Sequence, residues 1–216
     1  MIKVIGLDLD NTLYPTSEEI DKRFNDALYE KMSFYLGIFT IEAKDIIHKG
    51  YRKFNSFSKT LSEEAKNRNI TIPQDIFGEI IKEVDIVDLI KQNQELDNML
   101  KRISLQKGLD MLTGSTKIVT EKKLDKIGIN QQIFKYIFTR EDGLKTNYGL
   151  FGEWIKIRNE NPDNLLYVGD NKFQDVDVPK SFGIQTCFLS RNGENHKNAN
   201  YTIKNIFELE DLALSL

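Results

Sequence analysis

From Gly108 to the C-terminus, short apolar runs rich in branched side chains alternate with stretches that have helical spacing. When a helix connects two neighbouring strands of one sheet, those strands run parallel and the helix packs on the sheet. A further apolar run at Lys3–Leu9 is typical of a buried strand. We therefore predict an α/β fold with a doubly wound, Rossmann-like parallel sheet. Its later strands are predicted at Gly108–Thr113, Tyr136–Thr139, Leu165–Gly169, Gln185–Leu189 and Tyr201–Ile203.

The segment 16–94 has a different pattern, which favours helices throughout. One helical face is indicated by apolar residues at four-residue intervals, namely Ile20, Phe24, Leu28 and Met32. Thr16–Glu19 and Thr60–Glu63 match the capping box, in which a hydroxyl residue precedes Glu by three positions, and so predict two helix starts. The sequence thus predicts an all-helical domain at 16–94, inserted into an α/β core formed by 1–15 and 95–216.

Composition excludes several classes of protein. The 216 residues include 30 Lys and Arg against 33 Asp and Glu, which disfavours a nucleic-acid partner. One cysteine and two histidines exclude an internal disulfide and a Cys/His metal cage. No apolar run approaches the roughly 20 residues that span a bilayer, so we expect no membrane partner. Without a secretory signal pattern, we expect a cytoplasmic protein, either a monomer or a small homo-oligomer.

Polar side chains follow the predicted strands at the edge where their carboxyl ends would meet, which is where ligands bind in such sheets. They are Asp8, Asp10, Thr12, Thr113, Lys145, Asp170 and Asp175. Because like charges repel at short range, the clustered carboxylates require a neutralising cation. Mg²⁺ takes oxygen ligands and commonly binds phosphate as well. The sequence therefore predicts a Mg²⁺ site that accepts a phosphate group, with Lys145 as a second positive charge.

Two segments carry a resemblance to a known family. Asp8-Leu9-Asp10-Asn11-Thr12-Leu13 resembles the first motif, Asp-x-Asp-x-Thr, of the haloacid dehalogenase-like hydrolase superfamily. The segment Gly169–Asp175, continued by Pro179–Gly183, resembles the fourth motif. The helical insertion follows the first motif, as the helical cap of this family does. The resemblance implies a Mg²⁺-dependent phosphatase that acts on a small phosphorylated metabolite.

The resemblance also implies a role for each site residue. Asp8 would be the nucleophile and form an aspartyl-phosphate. Asp10 would be the general acid and base and would bind the metal through its backbone carbonyl. Thr113 and Lys145 would bind the transferred phosphoryl group. The metal site would comprise Asp8, Asp10, Asp170 and Asp175, the last of them acting through water or by orienting Lys145. The substrate would be lined by Leu9, Asp10, Thr12, Tyr14 and Gly114.

Three alternatives stay open at this point. The second motif requires a strand that ends in Thr or Ser, and Lys117–Thr120 is an alternative to the strand that ends at Thr113. We favour Thr113, because it leaves room for a full helix before Gly128. The same fold also serves 2-haloacid dehalogenases and phosphosugar mutases. Halide leaves without a proton or a metal, so Asp10 and Asp170 favour a phosphatase.

The substrate is the least defined of these expectations. The run Asn11-Thr12-Leu13-Tyr14-Pro15 resembles pyrimidine 5′-nucleotidase-like members of the superfamily, and phosphoglycolate phosphatases share the same arrangement of cap and core. Nucleotide monophosphates and phosphoglycolate-like acids are therefore the substrates we expect first.

Overall fold

The computed structural model describes residues 1–54, 57–73, 79–80, 84–145 and 149–216. The chain divides into two compact units. The first unit comprises Met1–Thr16 and Ile90–Leu216, and the second comprises Ser17–Leu89. Among the helices described, none is both long enough and apolar enough to cross a lipid bilayer.

The first unit is built on a sheet whose strand pairs are all parallel. In sheet order 3-2-1-4-5-6, the strands are β1 Val4–Leu7, β2 Gly108–Leu112, β3 Tyr136–Phe138, β4 Leu165–Gly169, β5 Gln185–Leu189 and β6 Tyr201–Ile203. This arrangement confirms the predicted doubly wound α/β fold. From β1 the chain passes first to one side of the sheet and later to the other. The carboxyl ends of β1 and β4 therefore form the switch point at which such sheets bind ligands.

The second unit contains the helices α1 Glu18–Leu36, α2 Thr40–Phe54 and α3 Phe57–Asn67. The side chain of Ser17 accepts a hydrogen bond from the backbone N–H of Ile20 and so caps α1. The cap expected at Thr16 thus lies one residue later. At its other end α1 stops at Gly37, whose φ of 64° is the left-handed conformation that ends many helices.

The helix start predicted at Thr60–Glu63 is wrong, because α3 already includes Thr60. Phe57, Leu61 and Ala65 are buried at four-residue spacing, so one apolar face runs through the supposed cap. Thr60 is itself buried and packs against Gly50 of α2, where a Cβ atom would collide with the Thr60 side chain. Thr60 is therefore a packing residue between two helices.

The helices of the first unit are α4 Gln94–Ser104, α5 Lys117–Ile127, α6 Gly149–Arg158, α7 Val178–Ser181 and α8 Glu208–Ser215. Trp154 of α6 is fully buried and packs against the sheet in a cluster with Phe151 and Tyr167. Its indole nitrogen donates to Asp110 Oδ2 at 2.7 Å, and Arg158 Nε donates to the same oxygen at 2.5 Å. Asp110 is thus a buried carboxylate that ties helix α6 to strand β2.

The packing of Trp154 depends on a glycine in β1. A Cβ atom added to Gly6 would lie 2.8 Å from Trp154 Cη2 and 3.0 Å from Leu112 Cδ1. We predict that Gly6→Ala lowers the free energy of unfolding by about 1–3 kcal/mol, the usual cost of overpacking a core. Urea denaturation measures this change.

Gly152→Ala is the matched control, because its added methyl would come no closer than 3.8 Å to Phe182. Gly152 lies inside α6, where alanine is favoured over glycine by about 1 kcal/mol. The control should therefore be neutral or stabilising. A Gly6→Ala protein as stable as the wild type would contradict the packing described for Trp154.

Candidate active site

Three carboxylates meet at the switch point of the sheet. Asp8 directly follows β1, and its backbone N–H donates to the carbonyl of Val168 at 2.9 Å, which extends the ladder with β4. Asp170 directly follows β4, and Asp175 lies in the π-helical turn Lys172–Asp177. Asp8, Asp170 and Asp175 each offer an oxygen within 4.8 Å of the other two. The structure thus brings together three of the four predicted metal ligands through their side chains.

Lys145 lies beside this carboxylate cluster. Its ammonium group contacts Asp8 Oδ1 and lies 3.0 Å from Asp175 Oδ1. The Lys145 side chain is 5 % exposed, and its Nζ lies 5.4 Å from the centre of the Tyr167 ring. That distance allows a cation–π interaction. The buried cation is therefore held by two acids and one aromatic ring.

The loop after β1 adds polar partners to the cluster. Thr12 Oγ1 donates to Asp8 Oδ2 at 3.1 Å, and Asn11 Nδ2 donates to Asp170 Oδ2 at 2.6 Å. Asn11 has a φ of 55°, and the guanidinium of Arg191 contacts its carbonyl oxygen. The sequence placed Thr12 at the substrate, whereas in this structure its hydroxyl is bonded to carboxylates. Asn11 and Arg191 were not among the predicted site residues.

Asp10 points to a different set of partners from Asp8. Its Oδ1 accepts from Lys123 Nζ at 2.5 Å and from the Tyr14 hydroxyl, and its Oδ2 accepts from Ser115 Oγ at 2.8 Å. The Asp10 side chain nevertheless keeps 41 % of its surface exposed. Tyr14, predicted to line the substrate site, is buried with its hydroxyl on Asp10. The Asp10 carboxylate is therefore fixed but still open to a ligand.

Lys123 and Ser115 were missed by the sequence reasoning, although a signal for Lys123 was present. The buried positions of α5 are Thr120, Lys123, Leu124 and Ile127. A lysine on the inward face of a helix needs a buried partner, since an unpaired buried charge is costly. Ser115 has no comparable signal, because a serine after a strand is ordinary in a loop.

Thr113 directly follows β2, where its backbone N–H donates to the carbonyl of Phe138 at 3.0 Å. Its hydroxyl oxygen accepts from the backbone N–H of Ser115 at 3.1 Å. The alternative strand Lys117–Thr120 is wrong, because those residues open helix α5. There the Thr120 hydroxyl donates to the carbonyl of Thr116, one turn earlier, at 2.8 Å.

Two residues predicted to bind substrate, Leu9 and Gly114, have no side chain exposed at this edge of the sheet. A Cβ atom added to Gly114 would meet nothing within 4 Å, so the space beside its Cα atom is open. The Leu9 side chain is fully buried in the core. A ligand at this edge of the sheet could therefore contact Leu9 only through its peptide group.

Burial and charge raise the pKa values of two cluster acids. Burial raises the pKa of Asp8 to about 8; Lys145 opposes this effect, and Asp175 and Asp10 add to it. Burial, together with Asp175, raises the pKa of Asp170 to about 6. Burial alone would lower the pKa of Lys145, but Asp175 and Asp8 hold it well above its usual value. Burial and the neighbouring acids therefore oppose ionisation of Asp8 and Asp170, and Lys145 offsets this only in part.

This donor set fits a hard divalent cation. Carboxylate oxygens are the preferred ligands of Mg²⁺, and a cation would favour the ionised form of Asp8, which burial and the neighbouring acids oppose. The three oxygens lie close enough together to share one ion. Asp8, Asp170 and Asp175 are therefore the candidate ligands of a metal centre.

Burial alone would raise the pKa of Asp10, but the charge of Lys123 and hydrogen bonds from Lys123, Tyr14 and Ser115 lower it below its usual value. Two acids separated by one residue thus have opposite shifts. Such a division is typical of sites in which two carboxylates have different chemical roles.

Known proteins that are similar to this chain include phosphatases and a dehalogenase. Over its full length the chain is 26% identical to a protein of Methanocaldococcus jannaschii named glyceraldehyde 3-phosphate phosphatase, of which it covers 99%. The crystal structure of a HAD phosphatase from Thermococcus onnurineus is similar at a TM-score of 0.67 and 23% identity, over 98% of this chain and 97% of that one. A 2-haloacid dehalogenase from Pseudomonas syringae pv. Tomato is similar at a TM-score of 0.60 and 18% identity, over 100% and 99% of the two chains.

The two structural likenesses show the fold, and they include both a phosphatase and a dehalogenase. The family profile of the haloacid dehalogenase-like hydrolases matches residues 5–189, which include Asp8, Thr113 and Asp170. This chain belongs to the haloacid dehalogenase-like hydrolase family.

Proposed function

We propose that this chain is a Mg²⁺-dependent phosphatase that hydrolyses a small phosphomonoester through an aspartyl-phosphate on Asp8. The observation that carries the proposal is the cluster of Asp8, Asp170 and Asp175, with an oxygen of each within 4.8 Å of the others. Asp10 beside it supplies an acid and base that ester hydrolysis needs and halide release does not. The phosphatase named in Methanocaldococcus jannaschii supports the same reaction class.

Asp8, Asp170 and Asp175 would hold the metal, and Asp10 would add its backbone carbonyl. A bound Mg²⁺ would neutralise charge on the phosphoryl oxygens and so allow a negatively charged nucleophile to approach phosphorus. Lys145 would bind a phosphoryl oxygen, since its ammonium group already contacts Asp8. The Thr113 hydroxyl and the backbone N–H next to Gly114 would bind the remaining oxygens.

The first step forms a bond between a carboxylate oxygen of Asp8 and phosphorus and breaks the bond from phosphorus to the ester oxygen. Asp10 gives its proton to that leaving oxygen, which departs as an alcohol. In the free protein the lowered pKa of Asp10 keeps it ionised. An incoming phosphate group adds negative charge nearby and favours protonation of Asp10, so proton uptake accompanies substrate binding.

In the second step Asp10 acts as the base. Its carboxylate takes a proton from water while the water oxygen bonds to phosphorus and the bond from phosphorus to Asp8 breaks. The products are inorganic phosphate and the regenerated Asp8 carboxylate, with the proton left on Asp10. Asp10 therefore donates a proton in the first step and accepts one in the second.

We propose a small phosphorylated metabolite as the substrate, with three-carbon phosphates such as glyceraldehyde 3-phosphate tested first. Nucleotide monophosphates and phosphoglycolate complete the panel. The unit Ser17–Leu89 occupies the place in the chain that the cap has in this family, and we assign to it the selection of the leaving group. Hydrolysis of an aryl phosphate that needs Mg²⁺ and stops with EDTA supports the proposal. Metal-independent halide release from a 2-haloacid would replace it with the dehalogenase reaction.

Replacement of the nucleophile gives the most direct prediction. Asp8→Asn should lower kcat by more than about 10⁴-fold, because removal of a nucleophile typically costs that much or more. Phosphate release with Mg²⁺ measures the loss, and circular dichroism checks the fold. Asp177→Asn is the matched control, since Asp177 lies two residues beyond Asp175 but accepts a hydrogen bond from Asn198. Turnover of Asp8→Asn near the wild-type rate would refute the mechanism.

Metal binding is tested without activity. We expect Mg²⁺ to raise the melting temperature of the wild-type protein, because a ligand of the folded state adds about 2.7 kcal/mol at 100 times its Kd. Asp170→Asn should lose most of this increase, whereas Asp177→Asn should keep it. Differential scanning fluorimetry over a Mg²⁺ titration, with EDTA as the blank, gives the result. An undiminished increase in Asp170→Asn would exclude Asp170 as a ligand.

The raised pKa of Asp8 predicts how stability depends on pH in the absence of metal. The folded protein binds a proton at Asp8 up to a pKa of about 8, whereas the unfolded chain releases it near 4. The free energy of unfolding should therefore fall as pH rises from about 4 to about 8. Asp8→Asn cannot lose this proton, so its decline should be smaller by more than about 1 kcal/mol. Urea melts in EDTA across this pH range measure both slopes, and parallel slopes would contradict the shift.

A further inference from the structure

Lys123 is a buried cation that the proposed mechanism does not use. Its side chain is 3 % exposed, and its Nζ lies 2.5 Å from Asp10 Oδ1 and 3.1 Å from Ser115 Oγ. Burial of an ammonium group costs several kcal/mol unless its partners compensate. The partners here are an acid with a proposed chemical role and the serine bonded to that acid.

The two carboxylate oxygens of Asp10 accept different numbers of hydrogen bonds. Oδ1 accepts from both Lys123 and Tyr14, whereas Oδ2 accepts from Ser115 alone. A carboxylate oxygen has about two acceptor sites, so Oδ1 is saturated and Oδ2 keeps one site free. A proton shared with a ligand must therefore reside on Oδ2.

Lys123 also fixes the direction of the Ser115 hydroxyl. An ammonium group can only donate, so Ser115 Oγ accepts from Lys123 and directs its own hydrogen to Asp10 Oδ2. Lys123 thus acts on both oxygens of Asp10, on Oδ1 directly and on Oδ2 through Ser115. The result is a single orientation of a carboxylate that is otherwise exposed to solvent.

We infer that Lys123, together with Ser115, positions Asp10 so that Oδ2 exchanges the proton with the leaving oxygen and with the hydrolytic water. The inference deepens the proposed function and rests on it. Lys123 acts through Asp10 and is a positioning residue. The proton on Oδ2 passes to the ester oxygen as the bond from phosphorus to that oxygen breaks, and Oδ2 later takes a proton from water.

A purely structural role for Lys123 would affect all substrates alike, whereas a role in positioning the acid depends on the leaving group. Nitrophenolate departs readily without a proton, whereas an alkoxide must be protonated as it leaves. The quantity to compare is kcat/KM, since it reports the steps up to departure of the leaving group. Later hydrolysis of the aspartyl-phosphate, which is common to all substrates, does not enter it.

The experiment measures kcat/KM of wild type and Lys123→Met with Mg²⁺ on p-nitrophenyl phosphate and on glyceraldehyde 3-phosphate. We expect a loss of about 10²-fold or more on the alkyl ester, the contribution of a positioned general acid, and less than about tenfold on the aryl ester. Lys122→Met is the matched control, because Lys122 is the exposed neighbour on the same helix. It should leave both values unchanged.

Equal losses on the two esters, or no loss on either, would overturn the inference while the proposed function stands. Wild-type protein that hydrolyses neither ester would instead overturn the proposed function, and the inference with it. If Lys123→Met fails to fold by circular dichroism, Ser115→Ala carries the same comparison, because it removes one hydroxyl and leaves the ammonium on Asp10. Its loss should again be greater on the alkyl ester.

Discussion

The chemistry proposed for this protein depends on carboxylates that meet at one edge of the sheet, where burial and mutual repulsion oppose their ionisation. Asp8, Asp170 and Asp175 lie in one cluster, and Lys145 contacts two of them, Asp8 and Asp175. The raised pKa values of Asp8 and Asp170 express the unfavourable free energy of this arrangement. A fold keeps such a cluster only if its backbone is held by other forces. Here the parallel strands supply them, because their ladders and apolar side chains are independent of the site.

The sheet controls the site through its register. Leu7 of β1 pairs with Val168 of β4, and the backbone of Asp8 continues that pairing by one hydrogen bond. Asp8, the proposed nucleophile, is therefore positioned by the sheet, and the loop that follows it supplies Asn11 and Thr12. Gly169 is the last residue of β4, and any side chain at this position would collide with Asp175. The approach of Asp175 to the cluster thus requires a residue without a Cβ atom.

Several strands were predictable from sequence, since β4, β5 and β6 have the predicted bounds. Local patterns failed where a distant partner decides the outcome. Thr60 has the context of a cap but packs against Gly50. The pairing of Asp110 with Arg158 likewise has no local signal in the sequence. The cluster acids could be placed at one edge because parallel strands share their carboxyl ends. The hydrogen bonds of these acids could not be predicted, and Ser115 gives no local sign that it contacts Asp10.

Asp8 and Asp10 show how one loop creates two kinds of carboxylate. Asp8 is buried beside other acids, and these two effects outweigh the charge of Lys145, so its pKa rises. Asp10 is surrounded by donors, and the charge of Lys123 outweighs burial, so the pKa falls. In the proposed mechanism a bound metal would favour the ionised form of Asp8, which is the form that attacks phosphorus. A base that must accept a proton from water gains from donors that hold it in one orientation. With Leu9 buried between them, the two carboxylates contact different cations, Lys145 at Asp8 and Lys123 at Asp10.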